Sequence, residues 1–437
     1  MKIKTVIHIA LFWLSLFSVN AQEKWTLEKC LSFADSSNLN LKTKKVDLLI
    51  AEIQQKQSKL NILPTINAGG THGYNWGQSI DPFTNQFATD RVRTNNFYAS
   101  SSWNIFSGLQ NYYLKQRNEL SIQETTHEID IQRRNLHIDI TAAYMQILLN
   151  HYLIEAAENQ VAYSLESESL SKERFKNGYA TNYDVLSLSS QLALDSAMLR
   201  QAKNNFEYSS LLLSQLLNSK DEIEIEIHSI ESLEKGEISI NREEFSQNPE
   251  FQLATTRINL QEYDLKMKKA QLLPTLAINS SLGSGYSGNS KIQVGSEFLP
   301  KPFEVQMREN FYQSAVLTLN VPIFNNGRVH SEIKIAEAEL TKTKLNQEIM
   351  FQDLRNKVEQ LENEITNEKL NSKALKRALE VSEKRFEAST EQYESGVINV
   401  QSYIELRSNL FKTQADYYTA LITLRFKEKM LKTLYEK

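Results

Sequence analysis

The side chains that most often carry out chemistry in proteins are scattered along this sequence. The single cysteine, Cys30, is too little for a disulfide framework or for a cysteine-built metal site. Neither a Gly-x-Ser-x-Gly motif nor a phosphate-binding loop occurs, so a hydrolase is disfavoured. A metalloprotein is also disfavoured, because the histidines beyond the N-terminal segment show no HxxxH or HExxH spacing: His72, His127, His137, His151, His228 and His330.

The charged and sulfur-containing residues do not indicate a site either. Glutamates are plentiful, but they fall on the expected solvent faces of helices, so their spacing nominates no carboxylate pair. The seven methionines do not cluster, which gives no support for copper or silver export. A formal net charge of -4 gives no electrostatic reason for nucleic-acid binding. We therefore predict that the protein is not an enzyme and has neither a cofactor nor a nucleic-acid partner.

The N-terminus is typical of an export signal. Lys2 and Lys4 precede an apolar stretch, residues 6–17, and Val19-Asn20-Ala21 offers a small-residue cleavage site. The alternative is a membrane anchor, but the apolar run is shorter than the ~20 residues that a helical span needs. A lipid-modified Cys30 is disfavoured because a lysine precedes it, so we interpret it as a small apolar helix residue. We predict a signal peptide over residues 1–21 and an exported mature protein.

The helix-breaking residues fall into a few clusters. Neither glycine nor proline occurs between Gly108 and Gly178, or between Gly327 and Gly396. At ~1.5 Å rise per residue, each interval predicts a helix roughly 100 Å long. Such a helix must bury a stripe against other helices, and the second interval has one at coiled-coil spacing: Leu354, Val358, Leu361, Ile365, Leu379, Phe386 and Tyr393. Residues 179–220 and 397–437 predict shorter helices that return antiparallel after each glycine.

The two halves of the sequence resemble each other at three anchors. Leu63-Pro64-Thr65 matches Leu273-Pro274-Thr275, and Ile105-Phe106-Ser107-Gly108 resembles the segment from Ile323 to Gly327. Glu173-Arg174-Phe175-Lys176-Asn177-Gly178 resembles the segment from Glu391 to Gly396. Chance similarity of two coiled coils would not place breakers and aromatic residues in the same order. The pattern therefore indicates an internal duplication.

Between the first two anchors of each half lie segments with strand alternation. Each is ~10 residues long, with an apolar face and a small polar face, which is the pattern of outer-membrane strands. A soluble sandwich edge is the alternative for any one of them. The apolar-side residues are Ile66, Ala68, His72, Tyr74 and Trp76; Phe97, Ala99, Ser101, Trp103 and Ile105; Leu276, Ile278, Leu282 and Tyr286; and Phe311, Ala315, Leu317, Leu319 and Val321.

Four strands are too few to close a barrel, since the smallest ones need about eight. No other stretch is apolar enough for a membrane helix, so strands must carry any membrane span, and unpaired strand edges are costly in lipid. Two copies of the chain would give eight strands around a filled interior. Three copies would give twelve strands around a lumen, which better matches the polar, glycine-rich inner faces. We therefore expect an oligomer that shares one barrel.

The remaining segments are connections. Ile223, Ile225 and Ile227 alternate with glutamates and predict a short strand, for which residues 236–240 are a possible partner. We expect this linker to be a packing module. The hairpin loops over residues 77–94 and 287–310 are long and polar, and such loops belong on the extracellular side of a membrane barrel.

With these features in this order, the chain resembles the TolC family of outer-membrane channel proteins. The opening WTLEKCLSFADSSNLNLK (Trp25–Lys42) is similar to the family's N-terminal helix. GYATNYDVLSLSSQL (Gly178–Leu192) and GVINVQSYIELRSNLF (Gly396–Phe411) resemble its periplasmic-tip turns. The resemblance implies a mostly α fold with a membrane β-barrel portion. Two repeats of long coiled-coil helices plus a β-hairpin would form a trimeric 12-strand β-barrel continuous with a 12-helix α-barrel.

The expected domains follow the same division. A first TolC-like repeat covers residues 22–220, with a β-hairpin at about 64–106 and a helical tip at 178. A linker, or equatorial segment, covers residues 221–247. A second repeat covers residues 248–437, with a β-hairpin at about 274–323 and a tip at 396.

The resemblance also implies a function and partners. The protein would be the outer-membrane channel of a tripartite efflux or type I secretion system in a Gram-negative cell. It would be a passive homotrimeric duct in outer-membrane lipid, with a long periplasmic extension. A periplasmic adaptor (membrane fusion protein) and an inner-membrane transporter would open its tip. The alternative is a soluble periplasmic coiled-coil adaptor without a pore, although such a protein would have one helical hairpin rather than two.

Carried over position by position, the family's functional residues fall at the two glycine turns. The residues matching the adaptor-docking tip are Gly178, Tyr179, Ala180, Thr181, Gly396, Val397, Ile398 and Asn399. A turn with no further role is the alternative for these residues. The positions matching the tip constriction are Asp184, Tyr393, Ser402 and Glu405.

At the constriction the chain departs from the family in several places. Ile398 stands where the family has an arginine, and Ser402 and Glu405 stand where it has two aspartates. The ion-pair latch and the double acidic ring of the family are therefore not expected in the same form. Glu405 alone, repeated threefold, would make a weak cation-attracting ring. For Asp184 the alternative is a solvated residue at a helix start.

Overall fold

The computed structural model describes residues 24–85, 87–88, 91–219, 223–227, 229–230, 232 and 248–435. The predicted signal peptide, residues 1–21, lies outside these ranges. So do most of the predicted linker and residues 236–240, the proposed partner of the linker strand.

The described helices, numbered in chain order, differ greatly in length. Two of them, α3 and α7, have 67 residues each, and the helices that follow them, α4 and α8, have 36 each. Their equal lengths in the two halves confirm the predicted long helices. The bounds are α1 Leu27–Ser37, α2 Leu39–Leu60, α3 Gln110–Lys176, α4 Asn182–Leu217, α5 Pro249–Ala270, α6 Phe303–Glu309, α7 Arg328–Glu394 and α8 Val400–Tyr435.

The four long strands form one antiparallel sheet in the order β1-β4-β5-β8. They comprise two hairpins, β1–β4 from the first half and β5–β8 from the second, joined through β4 and β5. The loops contain two small hairpins and α6, which the sequence analysis did not predict. The bounds are β1 Thr65–Asn75, β2 Ser79–Ile80, β3 Phe87–Ala88, β4 Val92–Ser107, β5 Thr275–Ser287, β6 Lys291–Val294, β7 Glu297–Pro300 and β8 Tyr312–Asn320.

The register places those predicted apolar residues that pair within the four long strands on one face of the sheet. Ile66 lies opposite Ser101, and Ile278 lies between Trp103 and Leu317. The register shifts between Asn104 and Phe106 and leaves Ile105 as an extra, unpaired residue. Phe106 pairs with Leu276, the partner that uninterrupted alternation would give to Ile105.

The chain divides into two compact units. The described residues of the first, the helix unit, lie within Met1–Val46, His127–Gln252 and Ile349–Lys437. The second, the sheet unit, comprises Asp47–Thr126 and Leu253–Glu348 and contains the whole four-stranded sheet. In the sheet unit, ion pairs join neighbouring helices, such as Arg117–Asp264 at 2.6 Å and Arg257–Glu124 at 2.9 Å.

The largest apolar core of the helix unit surrounds α1. Cys30 is fully buried there among residues of α3, α4 and the linker, and burial raises the pKa of its thiol to about 11. The interpretation of Cys30 as a small apolar helix residue agrees with this position. Ile225 forms an isolated parallel bridge with Trp25, and the two backbone hydrogen bonds beside it measure 2.8 and 2.9 Å. The predicted linker strand is thus a single bridge to the start of the chain.

The stripe predicted on α7 is buried in the helix unit. Leu354, Val358, Leu361, Leu379, Phe386 and Tyr393 are all at most 8% exposed. Coiled-coil spacing therefore identified the packed face of this helix correctly. Within the described residues, no helix combines the length and the apolarity required to cross a membrane.

Candidate functional site

The glycine turns that follow α3 and α7 have the same backbone geometry. Gly178 and Gly396 both have φ +79°. The N–H of Gly178 donates to Phe175 O at 3.1 Å, and the N–H of Tyr179 donates to Arg174 O at 2.8 Å. The second turn repeats both bonds with the same lengths, from Gly396 and the residue after it. Each turn is a Schellman motif, which places a residue in the left-handed region and so favours glycine.

Each returning helix begins with a side-chain cap at the equivalent position. Thr181 caps α4 in a capping box with Asp184, whose carboxylate accepts from the Thr181 N–H at 2.9 Å and from the Thr181 hydroxyl at 2.7 Å. Asn399 caps α8 by accepting from the Ser402 N–H at 2.8 Å. The carboxylate of Asp184 therefore caps the start of its own helix.

The residues beside the glycines differ in how they pack. Tyr179 is 84% exposed and Val397 is 72% exposed, so both present apolar surface at the turns. Ile398 packs in part against a buried cluster of the helix unit: Leu188, Phe386, Tyr393, Val400, Tyr403 and Ile404. An apolar residue at position 398 thus contributes to the core beneath the turn.

Of the four residues at the predicted constriction, Tyr393 is the most buried. Its ring stacks on Tyr403 with centroids 4.6 Å apart, and burial raises its pKa, which the nearby Arg174 opposes. Ser402 contributes its backbone N–H to the cap described above. Glu405 is exposed and accepts from Gln401 within its own helix at 3.3 Å. Among the described residues, no hydrogen bond joins the side chains of any two of these four residues.

Arg174, which the sequence analysis did not single out, links the two helical tips. From the end of α3 its guanidinium donates to Tyr393 O at 3.1 Å and to Glu394 O at 2.5 Å. These are carbonyls of the last turn of α7, where the helix dipole favours a positive charge. The guanidinium also lies 5.4 Å from the centroid of the Tyr393 ring. The signal available in the sequence was a basic residue in the last turn before the glycine.

We predict that Arg174→Gln will loosen the end of α7. Loss of two charge-assisted hydrogen bonds costs about 1–3 kcal/mol locally, so the backbone N–H groups of Gly396 and Val397 will exchange with solvent faster. Hydrogen-exchange mass spectrometry of the purified protein measures this change. Lys176→Gln, which removes an exposed charge from the same turn, is the matched control. Equal exchange in both variants would contradict the role of Arg174.

A buried ion pair lies deeper in the helix unit. Arg407 on α8 and Asp195 on α4 are 0% and 1% exposed, with Nη2 of Arg407 3.2 Å from Oδ2 of Asp195. Ser164 of α3 donates to the same carboxylate, and Gln191 donates to its other oxygen at 2.8 Å. One carboxylate thus joins three helices.

The arginine of this pair is less well satisfied than the aspartate. Its Nε and Nη1 atoms are buried without a hydrogen-bond partner. Burial lowers the pKa of its guanidinium from the usual value, and Asp195 opposes the shift. A buried charge with one partner is a weak stabiliser compared with an apolar contact. This interface therefore holds together while the pair is intact and weakens sharply when one partner is removed.

These features form the candidate site: two glycine turns with exposed apolar neighbours, an aromatic cluster beneath them, and two arginines that join neighbouring helices. Among the described residues, no group of three or more His, Cys, Asp or Glu side chains is arranged to hold a metal ion.

The comparisons with known proteins agree with this architecture. Residues 242–434 match the family model described as outer membrane efflux protein, and the first half repeats the tip geometry of the matched half. Residues 242–434 therefore carry the sequence pattern of the outer membrane efflux protein family.

Two curated relatives are distant but extensive matches. The alkaline protease secretion protein AprF of Pseudomonas aeruginosa is 21% identical over 309 residues, which cover 68% of this chain and 61% of AprF. The chain thus spans less than two thirds of the length of AprF. The outer membrane efflux protein BepC of Brucella suis is 20% identical over 337 residues, which cover 76% of this chain and 67% of BepC.

Two solved structures of channel proteins share the fold. CusC superimposes with a TM-score of 0.81 at 14% identity, over 94% of this chain and 92% of that chain. The CmeC outer membrane channel of Campylobacter jejuni gives a TM-score of 0.76 at 14% identity, over 94% and 85% of the two chains. The predicted fold class and family resemblance are therefore confirmed.

Proposed function

We propose that the whole chain belongs to the outer membrane efflux protein family and is a passive export duct in the outer membrane of a Gram-negative cell. It serves as the channel of a tripartite efflux or type I secretion system. Three copies share one barrel, and the duct carries out no catalysis. The observation that carries this proposal is the open four-stranded sheet with two chemically different faces.

The sheet is incomplete as it stands in one chain. Among the described strands, β1 and β8 each pair on one side only. In lipid every unpaired backbone group costs several kcal/mol, so a membrane-embedded sheet must close on itself. Pairing of β8 from one copy with β1 of the next closes twelve strands from three copies, enough for an open lumen.

The two faces of the sheet suit lipid on one side and water on the other. On one face Ile66, Leu317 and Leu319 are 75%, 63% and 64% exposed, although burial of such side chains is favourable. The opposite face alternates small polar residues with glycines, as in Asn67, Gly69 and Thr71 of β1. This is the outward-apolar, inward-polar alternation of barrels with a wet interior.

In the proposed duct the glycine turns are the periplasmic tips that meet the adaptor. The exposed Tyr179 and Val397 lie at the centres of the two docking sets, Gly178–Thr181 and Gly396–Asn399, and offer apolar surface to a helical hairpin. The adaptor and the inner-membrane transporter open a constriction that is lined by Asp184, Tyr393, Ser402 and Glu405. The proposed duct contains two repeats in each chain, residues 22–220 and 248–437, and a linker, residues 221–247, joins them.

Fractionation with sizing tests the proposal. We predict that the protein requires detergent, sediments with outer membranes and runs as a heat-modifiable trimer that conducts ions in planar lipid bilayers. We expect these properties because the strand edges of three copies must pair with one another in lipid. A water-soluble monomer without conductance would instead support a periplasmic coiled-coil adaptor or scaffold and would refute the duct.

A further inference from the structure

One cross-strand row on the polar face of the sheet alternates glycine and tyrosine. Gly69 of β1 lies opposite Tyr98 of β4, Tyr98 lies opposite Gly283 of β5, and Gly283 lies opposite Tyr312 of β8. All four residues belong to the sheet unit and point to the same face. We call this row the tyrosine belt.

Each tyrosine ring lies across the glycine of the preceding strand. A Cβ atom added to Gly69 would come within 2.8 Å of Cζ and Oη of Tyr98. One added to Gly283 would come within 2.8 Å of Oη and 2.9 Å of Cζ of Tyr312. The glycines therefore provide the space that lets the rings stay close to the sheet.

The belt leaves its aromatic surface accessible. Tyr98 is 39% exposed and Tyr312 is 43% exposed. Contact with the glycines therefore buries only part of each ring. Two residues closer to the hairpin loop, the ring of Phe83 covers Gly285 on the same face. The other described residues around the belt on this face are small and uncharged: Asn67, Thr71, Asn96, Ser100, Ser281 and Ser314.

We propose that the tyrosine belt is a cargo-binding site for planar aromatic molecules, and that it favours those with a positive charge. This inference rests on the proposed duct, because it requires the polar face to be the lumen wall. A trimer then presents six such rings at one level of the lumen. Tyrosine faces attract flat rings by stacking and cations by their quadrupole, whereas the neighbouring amides and hydroxyls add no competing charge.

The test uses the whole trimer in lipid nanodiscs and methyl viologen, a planar aromatic dication, in equilibrium dialysis against empty nanodiscs. Wild-type protein will retain the probe in excess over 1,4-diaminobutane, an aliphatic dication. Y98L/Y312L will weaken retention of methyl viologen about tenfold, and Y98F/Y312F will stay within about threefold of wild type, because the ring faces carry the interaction. Phe97→Leu, on the opposite face of β4, will leave retention unchanged.

A second pair of variants moves the ring without removing it. Gly69→Ala forces Tyr98 away from the wall and will change retention, whereas Gly73→Ala meets only Thr94 Oγ1 at 3.9 Å and will not. If Y98L/Y312L does not assemble, this pair of variants still tests whether the Tyr98 ring binds the probe. Equal retention of methyl viologen by all variants that form conducting trimers would refute cargo binding at the tyrosine belt. It would not contradict the proposed duct. A wild-type chain that forms no conducting trimer would refute the duct itself, and the belt with it.

Discussion

Replacement of Asp195 by leucine will destabilise the helix unit by about 3–5 kcal/mol, because it leaves the Arg407 guanidinium buried and unpaired. Two of the guanidinium nitrogens already lack a partner, and the variant removes the one charge that compensates them. For a unit of this size the expected fall in melting temperature is roughly 10 °C. Circular dichroism of the full chain in detergent, with the temperature of heat modification on gels, measures it.

Two controls separate the buried charge from general disruption. Glu158→Ala breaks the Glu158–Lys203 pair between α3 and α4, whose 2.8 Å contact is half exposed, and will change stability by less than about 1 kcal/mol. The double variant D195L/R407M replaces the pair by apolar groups and will recover most of the loss. If D195L/R407M is as unstable as the single variant, burial of the charge is not the cause.

Substitution of valine for both tip glycines, Gly178 and Gly396, will abolish export while the trimer still assembles. At φ +79° a β-branched residue is strained by more than about 1–2 kcal/mol per site, so the turn will change shape. Its new side chains will also stand at the surface that we assign to the adaptor. Cross-linking to the adaptor in the native host, followed by co-purification of the trimer, measures docking directly.

Gly295→Val is the matched control for these tip variants. Gly295 has φ +66° and open space around its Cβ position, as do Gly178 and Gly396, but it lies in the loop of the second β-hairpin. It will carry the same kind of strain without losing adaptor cross-links. Undiminished cross-linking in the tip variant would mean that the turns are not the docking surface.

Features that depend on neighbours in sequence were the ones that could be predicted. The absence of Gly and Pro between Gly108 and Gly178 predicted a long helix, and α3 fills most of that interval. The spacing of Leu354, Val358 and Leu361 predicted a face that is indeed buried. Strand alternation likewise identified the apolar face of the sheet, because the pleat fixes which residues share a side.

Features that depend on distant pairing could not be predicted in this way. Asp195 and Arg407 come from different repeats, and nothing in the periodicity of α4 or α8 says that they meet. The parallel bridge of Ile225 to Trp25 joins the linker to the start of the chain. The extra residue at Ile105 follows from the register of two strands rather than from either strand alone.

The capping box is a local feature that the sequence could have predicted, since Thr181-x-x-Asp184 has its signature. It gives the Asp184 carboxylate a role at the start of its own helix.

The state of Cys30 has a practical consequence for labelling. This is the one cysteine of the chain, and because it is fully buried with a thiol pKa of about 11, it stays protonated and shielded from maleimides at neutral pH. A cysteine introduced at the exposed position 179 or 397 is then selectively reactive without prior removal of the native thiol. Fluorophores or spin labels placed there would report distances between the tips of neighbouring copies in the proposed trimer.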